Sequence, residues 1–224
     1  MGTQQKKAVT VLINKNSRCV IIAGGVIDNA EIVKSRIKDG DFVVYCDSAL
    51  RYKNALGAAP QLIVGDFDSF DRKNVNDSCE IITLKPEKDE TDSFHAVKTV
   101  LERGFRDILI LGGTGGRFDH TMANVSALCY IDKHGARGEM ADSSGRYFIL
   151  SDGSFEIKKG ECRYFGIIPL DTPIEDLSIT GAKYPLSHAK VDFDYLYTTS
   201  NEVSSDKCVI TLKNARALIF LADR

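Results

Sequence analysis

There is no tryptophan anywhere in this 224-residue chain, so any aromatic surface must be built from its 11 phenylalanines and 8 tyrosines. No apolar run approaches the ~20 residues that a membrane-spanning helix needs, and Met1 to Lys7 is too polar for a signal peptide. Neither sign of charge dominates: 29 Lys and Arg against 31 Asp and Glu leave a net charge of −2. With no basic stretch, nucleic acid is not expected as a partner. The six cysteines, at 19, 46, 79, 129, 162 and 208, form no Cys-x-x-Cys pair, and His95, His134 and His188 have no Cys or His at ligand spacing. That excludes a zinc site or a disulfide frame on sequence grounds. Cys19 and Cys46 lie inside apolar runs and read as reduced core residues. These absences together describe a cytoplasmic chain without repeats or low-complexity segments, long enough to bury a real core.

What is present centres on the run Gly112-Gly113-Thr114-Gly115-Gly116-Arg117-Phe118-Asp119-His120. It follows the apolar stretch Ile108 to Leu111 and precedes a segment with helical apolar periodicity. A strand that feeds a glycine loop and then a helix start suits a phosphate, because glycines let backbone N–H groups approach the anion and the helix N-terminus adds partial positive charge. The spacing is neither that of a P-loop nor that of a dinucleotide fingerprint.

Two acidic clusters lie upstream. Ile63-Val64-Gly65-Asp66-Phe67-Asp68-Ser69 reads as a buried strand ending in two carboxylates. Residues two apart in extended chain share a face, so Asp66 and Asp68 can converge on one cation. Glu87-Lys88-Asp89-Glu90-Thr91-Asp92 opens a predicted helix with apolar positions Phe94, Val97 and Leu101 and with Gly104 at the C-terminal cap. Asp89 and Asp92, three apart, can share a face of its first turn. Singly, each aspartate is explained as a turn former or a cap. Jointly, on successive strand-to-helix junctions beside a glycine loop, they point to Mg²⁺ and a nucleotide, since Mg²⁺ takes one or two carboxylates plus substrate phosphates and water.

Strand-like runs at Cys19–Ala23, Phe42–Cys46, Leu62–Val64, Ile81–Leu84 and Ile108–Leu111 alternate with helical patterns at Asn29–Lys38 and Ala49–Leu56 and after the last two strands. Such alternation predicts an N-terminal, mostly parallel, doubly wound α/β domain over residues 1–142. Asp47, Asp66, Asp92 and the glycine loop then fall at strand C-terminal ends, where open α/β sheets bind ligands. From Arg146 onward, the runs Arg146–Leu150, Ser154–Ile157, Tyr164–Ile168, Asp176–Ile179, Val191–Tyr197, Cys208–Leu212 and Ala217–Leu221 are short, β-prone and broken by turn residues. They predict a smaller C-terminal β-sandwich domain over 143–224, joined through the polar segment Gly138–Ser144.

Asp47, Gly65-Asp66-Phe67-Asp68-Ser69, Lys88-Asp89-Glu90-Thr91-Asp92 and Gly112 to Asn124 together resemble the thiamine pyrophosphokinase family. Ile179-Thr180-Gly181-Ala182-Lys183-Tyr184-Pro185-Leu186 and Thr199-Ser200-Asn201-Glu202 resemble that family's second domain, and the Lys-Asp-x-Thr-Asp form and doubled glycines are closer to its bacterial branch. The resemblance covers most of the chain, in the family's order. It implies Mg²⁺-dependent transfer of the β,γ-diphosphoryl group of ATP to the hydroxyl of thiamine, releasing AMP. It also implies a homodimer whose active sites lie between the α/β domain of one subunit and the β domain of the other.

Carried over residue by residue, the resemblance assigns the metal and the catalytic role to Asp66, Asp68 and Asp92, with Asp92 orienting the hydroxyl. ATP falls to Lys88, Asp89, Gly113, Thr114, Gly115, Gly116, Arg117 and His120. Thiamine falls to Asp47, Asp119, Ser200, Asn201 and Phe220, the last standing where the family often has a tryptophan. Arg117 and His120 are equally explained as loop and helix-start residues and Phe220 as a core strand residue; Gly24-Gly25, after the first strand, could line the nucleotide or be a plain turn. Ser69 and Thr91 are expected to fix their loops, and Asn124 shares a helix face with His120. Two other readings share these residues: a pyrophosphokinase for another hydroxymethyl heterocycle such as a pterin, and a non-catalytic thiamine- or nucleotide-binding module. Ser200-Asn201-Glu202 favours thiamine, and the full set of carboxylates favours an enzyme.

Overall fold

Three strands of the first half, β1 (Cys19–Ile22), β2 (Phe42–Cys46) and β3 (Leu62–Gly65), are apolar from end to end, and β5 (Asp107–Leu111) is so after its first residue. Strands buried on both faces need no polar alternation, and these are almost completely inaccessible. The computed structural model describes residues 17–67, 79–85, 87 and 89–223. β1, β2, β3, β4 (Glu80–Thr83), β5 and β6 (Arg137–Ala141) form a parallel sheet in the order β4-β3-β2-β1-β5-β6. The chain builds outward from β1 to β4 and then returns to the other side of β1. The strand order therefore reverses between β1 and β5, the switch point at which such sheets open a crevice. β4 has only one partner among the described strands, and its ends are exposed; Glu80 there pairs with Arg103 at 2.6 Å.

The helices are α1 (Ala30–Ser35), α2 (Lys53–Leu56), α3 (Asp92–Glu102) and α4 (Phe118–Lys133), and a 3₁₀ turn over Asp47–Tyr52 leads directly into α2. α3 starts at Asp92 because Thr91 caps it, its hydroxyl accepting from the Phe94 N–H at 3.2 Å. Asp89 therefore precedes the helix instead of sharing its first turn, while Thr91 plays the loop-fixing part expected of it. Gly104 closes α3 at φ +94°, with the Phe105 N–H returning to the Val100 carbonyl at 3.1 Å. α4 buries Asn124, Val125, Ala127, Leu128 and Ile131 along one stripe.

The β-rich second half comprises β7 (Gly145–Lys158), β8 (Tyr164–Pro169), β9 (Ile174–Thr180), β10 (Leu186–Val191) and β11 (Lys207–Ala222), packed around its own core of residues such as Phe165, Ile167, Leu177, Ile210 and Ile219. It is hydrogen-bonded to the first sheet, since β7 runs antiparallel to β6, and β11 pairs with β7 along almost its whole length. β11 meets β9 with its first half and β8 with its second.

Three sequence expectations change here. The segment Gly138–Ser144, expected as a junction, begins inside strand β6. The four runs at 146–150, 154–157, 208–212 and 217–221 are two long strands with an irregularity between Leu212 and Arg216. Asp152, Gly153 and Asn214 take positive φ at this irregularity, and the Asn214 N–H bonds to Asp152 Oδ1 at 3.2 Å. Lastly, the strand expected at Val191–Tyr197 is β10, which ends at Val191. Asp192 and Tyr195 instead close a turn, with N–H to O of 3.3 Å.

Candidate active site

At the carboxyl ends of the parallel strands lies a cleft of about 850 Å³. Its lining comes from Cys46 at the end of β2, from the segments after β1 (Ala23–Val26), β2 (Asp47, Ser48, Arg51), β3 (Asp66) and β5 (Gly113, Gly115, Gly116, Arg117), from Asp89–Ser93 at the entry to α3, and from His120 and Asn124 of α4. The switch point between β1 and β5 is thus the floor of the site.

Asp47 is the deepest acid. It is 3% exposed, and its carboxylate accepts from the Phe67 N–H at 2.9 Å and from the Ser48 N–H. Gly65 makes room for it: a Cβ there would stand 2.5 Å from the Asp47 carboxyl carbon. Burial pushes the Asp47 carboxyl above the usual carboxylate range and outweighs the two amides, while the Asp92 and Asp66 carboxylates push in the same direction. Three acids from three separate segments therefore share one electrostatic neighbourhood. An excess of negative charge in a partly desolvated cleft is relieved by a cation or by protonation.

The glycine loop is held by its neighbours. Gly112, Gly115 and Gly116 all take positive φ. The Gly112 carbonyl accepts from the Gly25 N–H at 2.8 Å, and a Cβ on Gly25 would lie 2.4 Å from that oxygen and 2.3 Å from the Thr114 carbonyl. Gly24-Gly25 is therefore a close approach of two loops and not a plain turn. Asn124 donates to the Gly113 carbonyl at 2.8 Å and accepts from the Ser93 hydroxyl at 2.7 Å, which in turn lies 3.1 Å from the Thr91 hydroxyl. This buried relay ties the glycine loop to the entry of α3, where Asp92 sits.

The cations are at the mouth. Arg51 donates to the Gly24 carbonyl at 2.7 Å and to the Ser48 carbonyl at 3.0 Å, and its guanidinium lies over the Tyr52 ring. Arg117 is paired with Asp119 at 2.5 Å, an exposed bond that holds the Asp119 carboxyl below the usual range.

The structure thus brings together Asp47, Asp66, Asp89, Asp92, Gly113, Gly115, Gly116, Arg117 and His120 of the expected set. Asp68, Ser69 and Lys88 lie outside the described residues. Thr114 belongs to the loop, but its hydroxyl is bonded to Asp142 at 2.6 Å. Asp119, Ser200, Asn201 and Phe220 are not part of the cleft wall within one chain. Ser200 is exposed at φ +56°. Asn201 is 4% exposed, and its side chain bonds the Tyr184 N–H, the Tyr184 carbonyl and the Glu202 N–H. Phe220 is stacked on Tyr147 at 4.6 Å. Sequence reasoning passed over Arg51, Ser48 and Ser93. The available signal was position: Ser48 and Arg51 follow an acid at a strand end, and Ser93 is the first residue after Asp92.

Among the described residues no three His, Cys, Asp or Glu side chains form a ready metal cage. Mg²⁺ is usually held without one, by one or two carboxylates, water and substrate phosphates. Asp66 and Asp92, close enough to raise Asp47, fit that donor set.

A glycine loop facing carboxylates at the switch point of a doubly wound sheet defines a class, an enzyme that handles phosphorylated substrates. Residues 33–138 match the thiamin pyrophosphokinase catalytic domain, and residues 154–219 match the thiamin pyrophosphokinase vitamin B1 binding domain. Thiamin pyrophosphokinase 1 of Caenorhabditis elegans is 31% identical over 170 residues, covering 72% of this chain and 69% of that protein. Thiamine pyrophosphokinase of Bacillus subtilis is 32% identical over 152 residues, covering 66% and 71%. The crystal structure of the Bacillus subtilis enzyme has the same fold, with a TM-score of 0.84 at 24% identity over 92% of this chain and 99% of that one. A thiamin pyrophosphokinase family protein from Enterococcus faecalis gives 0.77 at 26% identity, over 93% and 100%. The chain belongs to the thiamine pyrophosphokinase family; it is a diphosphotransferase.

Proposed function

We propose that this chain makes thiamine diphosphate by moving the β,γ-diphosphoryl group of ATP to the primary hydroxyl of thiamine. The hydroxyl oxygen bonds to Pβ, the bond from Pβ to the oxygen bridging it to Pα breaks, AMP leaves, and the hydroxyl proton is released. The observation that carries this reading is the convergence of Asp47, Asp66 and Asp92 opposite the glycine loop.

Asp66 and Asp92, together with Asp68, are the proposed Mg²⁺ ligands. When bound, Mg²⁺ would offset the charge that builds on the transferring phosphates. Transfer of this kind depends on in-line positioning and charge neutralisation, and these residues supply both. Gly113, Gly115 and Gly116 offer backbone donors to the triphosphate. Lys88, Arg117 and the newly located Arg51 supply positive charge, Asp89 and His120 line the nucleotide side, and Asp92 orients the thiamine hydroxyl. Orientation suits it better than proton removal, since a metal-bound carboxylate is a weak base.

Thiamine is a cation, and the raised Asp47 carboxyl gains from one nearby; Asp119 adds a second negative charge at the mouth. Ser200, Asn201 and Phe220 belong to the β-rich half and are not among the residues that line the cleft of their own chain. A homodimer in which a second copy's β-rich half covers the cleft accounts for this. In it, Asn201 shapes the Tyr184 loop and presents Ser200. The residue ranges proposed for the two halves are 1–142 and 143–224, supported by the gap between the two family matches. The proposed setting is the cytoplasm; no described helix is long and apolar enough to cross a membrane.

The test is incubation of purified protein with thiamine and MgATP, followed by chromatography, with Asp92→Asn in parallel. Equal amounts of thiamine diphosphate and AMP, lost in the variant, are expected. Thiamine monophosphate with ADP would place attack at the wrong phosphorus and overturn the reading, as would thiamine binding without turnover.

A further inference from the structure

The turn that leaves β6 uses one carboxylate for two separate tasks. Asp142 Oδ1 serves the turn itself, accepting from the Ser144 N–H at 2.8 Å, the Ser144 hydroxyl at 2.6 Å and the Gly145 N–H at 3.0 Å. Oδ2 does nothing for the turn. It accepts from the Thr114 hydroxyl at 2.6 Å, across 28 residues, and from the Tyr147 hydroxyl at 3.2 Å. These donors outweigh burial and hold the Asp142 carboxyl below the usual range, so both oxygens carry full acceptor strength near neutral pH. The next residue repeats the pattern: the Ser143 hydroxyl donates to Asp28 at 2.5 Å, just beyond the Gly24–Val26 segment of the cleft.

Thr114 is the one residue between Gly112 and Gly116 that bears a side chain. A glycine loop has the most conformational freedom to lose when it receives a ligand, and fixing it beforehand removes that cost from binding. Gly112 is held through its carbonyl by Gly25, Gly113 through its carbonyl by Asn124, and Thr114 through its hydroxyl by Asp142. Only the last tether comes from the strand end that leads into the β-rich half. The other donor to Asp142 Oδ2, Tyr147, lies on β7 and stacks on Phe220 of β11 at 4.6 Å, with the rings 15° from parallel.

We infer that Asp142 is a positioning residue for the nucleotide: through Thr114 it holds the glycine loop in the conformation that receives the triphosphate, and through Tyr147 it fastens that loop to the strands of the β-rich half. The inference rests on the reading of this loop as the phosphate cradle. Asp142 touches no reacting atom. The Thr114 hydroxyl, bound here to a carboxylate, is engaged by the protein and not by the ligand.

The test compares Thr114→Val, Thr114→Ser, Asp142→Ala and the Thr114→Val/Asp142→Ala pair. KM for MgATP, KM for thiamine, kcat, Tm and direct equilibrium binding of MgATP are measured for each. Thr114→Val is nearly isosteric and leaves the Asp142 turn intact, so it tests the tether without threatening the fold. Expected is a loss of about tenfold in MgATP binding and in its KM, with KM for thiamine unchanged and Tm close to that of the parent. Thr114→Ser should restore most of the affinity. Asp142→Ala should weaken MgATP to the same degree, with an added loss of Tm from the broken turn, and the double variant should bind MgATP no worse than either single one.

A normal MgATP affinity in Thr114→Val would overturn the inference. So would a loss in Thr114→Val that Asp142→Ala does not share, because Thr114 would then touch the nucleotide directly. Additive losses in the double variant would overturn it too. If the parent protein binds MgATP but makes no thiamine diphosphate, the proposed function fails and the binding series still decides the role of Asp142. If the parent does not bind MgATP at all, both fall.

Discussion

The two halves of the molecule bury polar side chains for different ends. In the parallel half, Asp47, Ser93 and Asn124 are buried at the ligand edge of the sheet, and each bonds a segment that lines the cleft. In the β-rich half, the buried Thr198 donates to the Ile167 carbonyl at 2.5 Å, and Asn201 ties itself to Tyr184. Those bonds pin a surface segment to the strands below it. One half encloses a site and the other shapes an exposed edge. These buried polar residues are all hydrogen-bonded, but among the described residues only the first half gathers several of them round one empty volume.

The largest difference between the halves should appear on removing a carboxylate. Asp92→Asn is expected to lower kcat by about 10²–10³-fold with the fold retained. Asp176→Asn removes a partly exposed acid paired with His188 and Lys213 and should leave kcat unchanged. Equal effects in the product assay would erase the distinction. A second contrast uses glycine. Gly25→Ala must drive a methyl against the Gly112 and Thr114 carbonyls, so kcat/KM should fall by about 10²-fold as the loops separate. Gly153→Ala has open space around it but a φ of +122°, and it should cost about 1–3 kcal/mol in denaturant unfolding without changing kcat.

The third prediction concerns pH. Burial, with Asp92 and Asp66, raises the Asp47 carboxyl against the pull of its two amide donors. A raised carboxyl binds its proton better in the folded state. Its contribution to stability is therefore present at acid pH and is lost as pH rises through the raised value. Without divalent metal, the Tm of Asp47→Asn relative to the parent should be higher at about pH 7 than at about pH 3. A gap that does not move with pH would show that burial and the neighbouring carboxylates do not raise the Asp47 carboxyl. The smallest effect is expected at the exposed pair of Lys207 and Glu156, 2.7 Å apart on neighbouring strands. Lys207→Ala should change stability by no more than about 1 kcal/mol and activity not at all.

Much of this was legible beforehand where chain-local physics decides the outcome. Apolar runs such as Phe42–Cys46 become buried parallel strands wherever helices cover both faces, and the acids and glycines that follow them must then lie at one edge. Gly104 marked the end of α3 by its own backbone preference, whereas the start was misplaced: the acidic run pointed to a first turn holding Asp89, and Thr91 caps the helix only at Asp92. What the sequence concealed depends on contacts between distant segments. β6 is short and partly polar, and it is a strand because β5 and β7 supply its partners. β7 and β11 looked like four strands because Gly153 and Asn214 are ordinary turn residues, here absorbed by a bulge within the ladder. The depth of Asp47 depends on the missing side chain of Gly65, and the tether from Asp142 to Thr114 spans 28 residues; no local pattern announces either.

The ladder between β7 and β11 also bears on how the chain assembles. β8, β9 and β10 lie between its two strands in sequence, so the pairing forms late and closes a long loop. During synthesis β7 emerges well before β11 does. Until β11 arrives, β7 can pair with β6 on one side but presents the unsatisfied amides and carbonyls of its other side to the surroundings. The nascent protein therefore passes through an interval in which its longest exposed strand is also its most adhesive one. Mutations that delay β11, even far from the cleft, should show first as aggregation during expression and only afterwards as lost turnover.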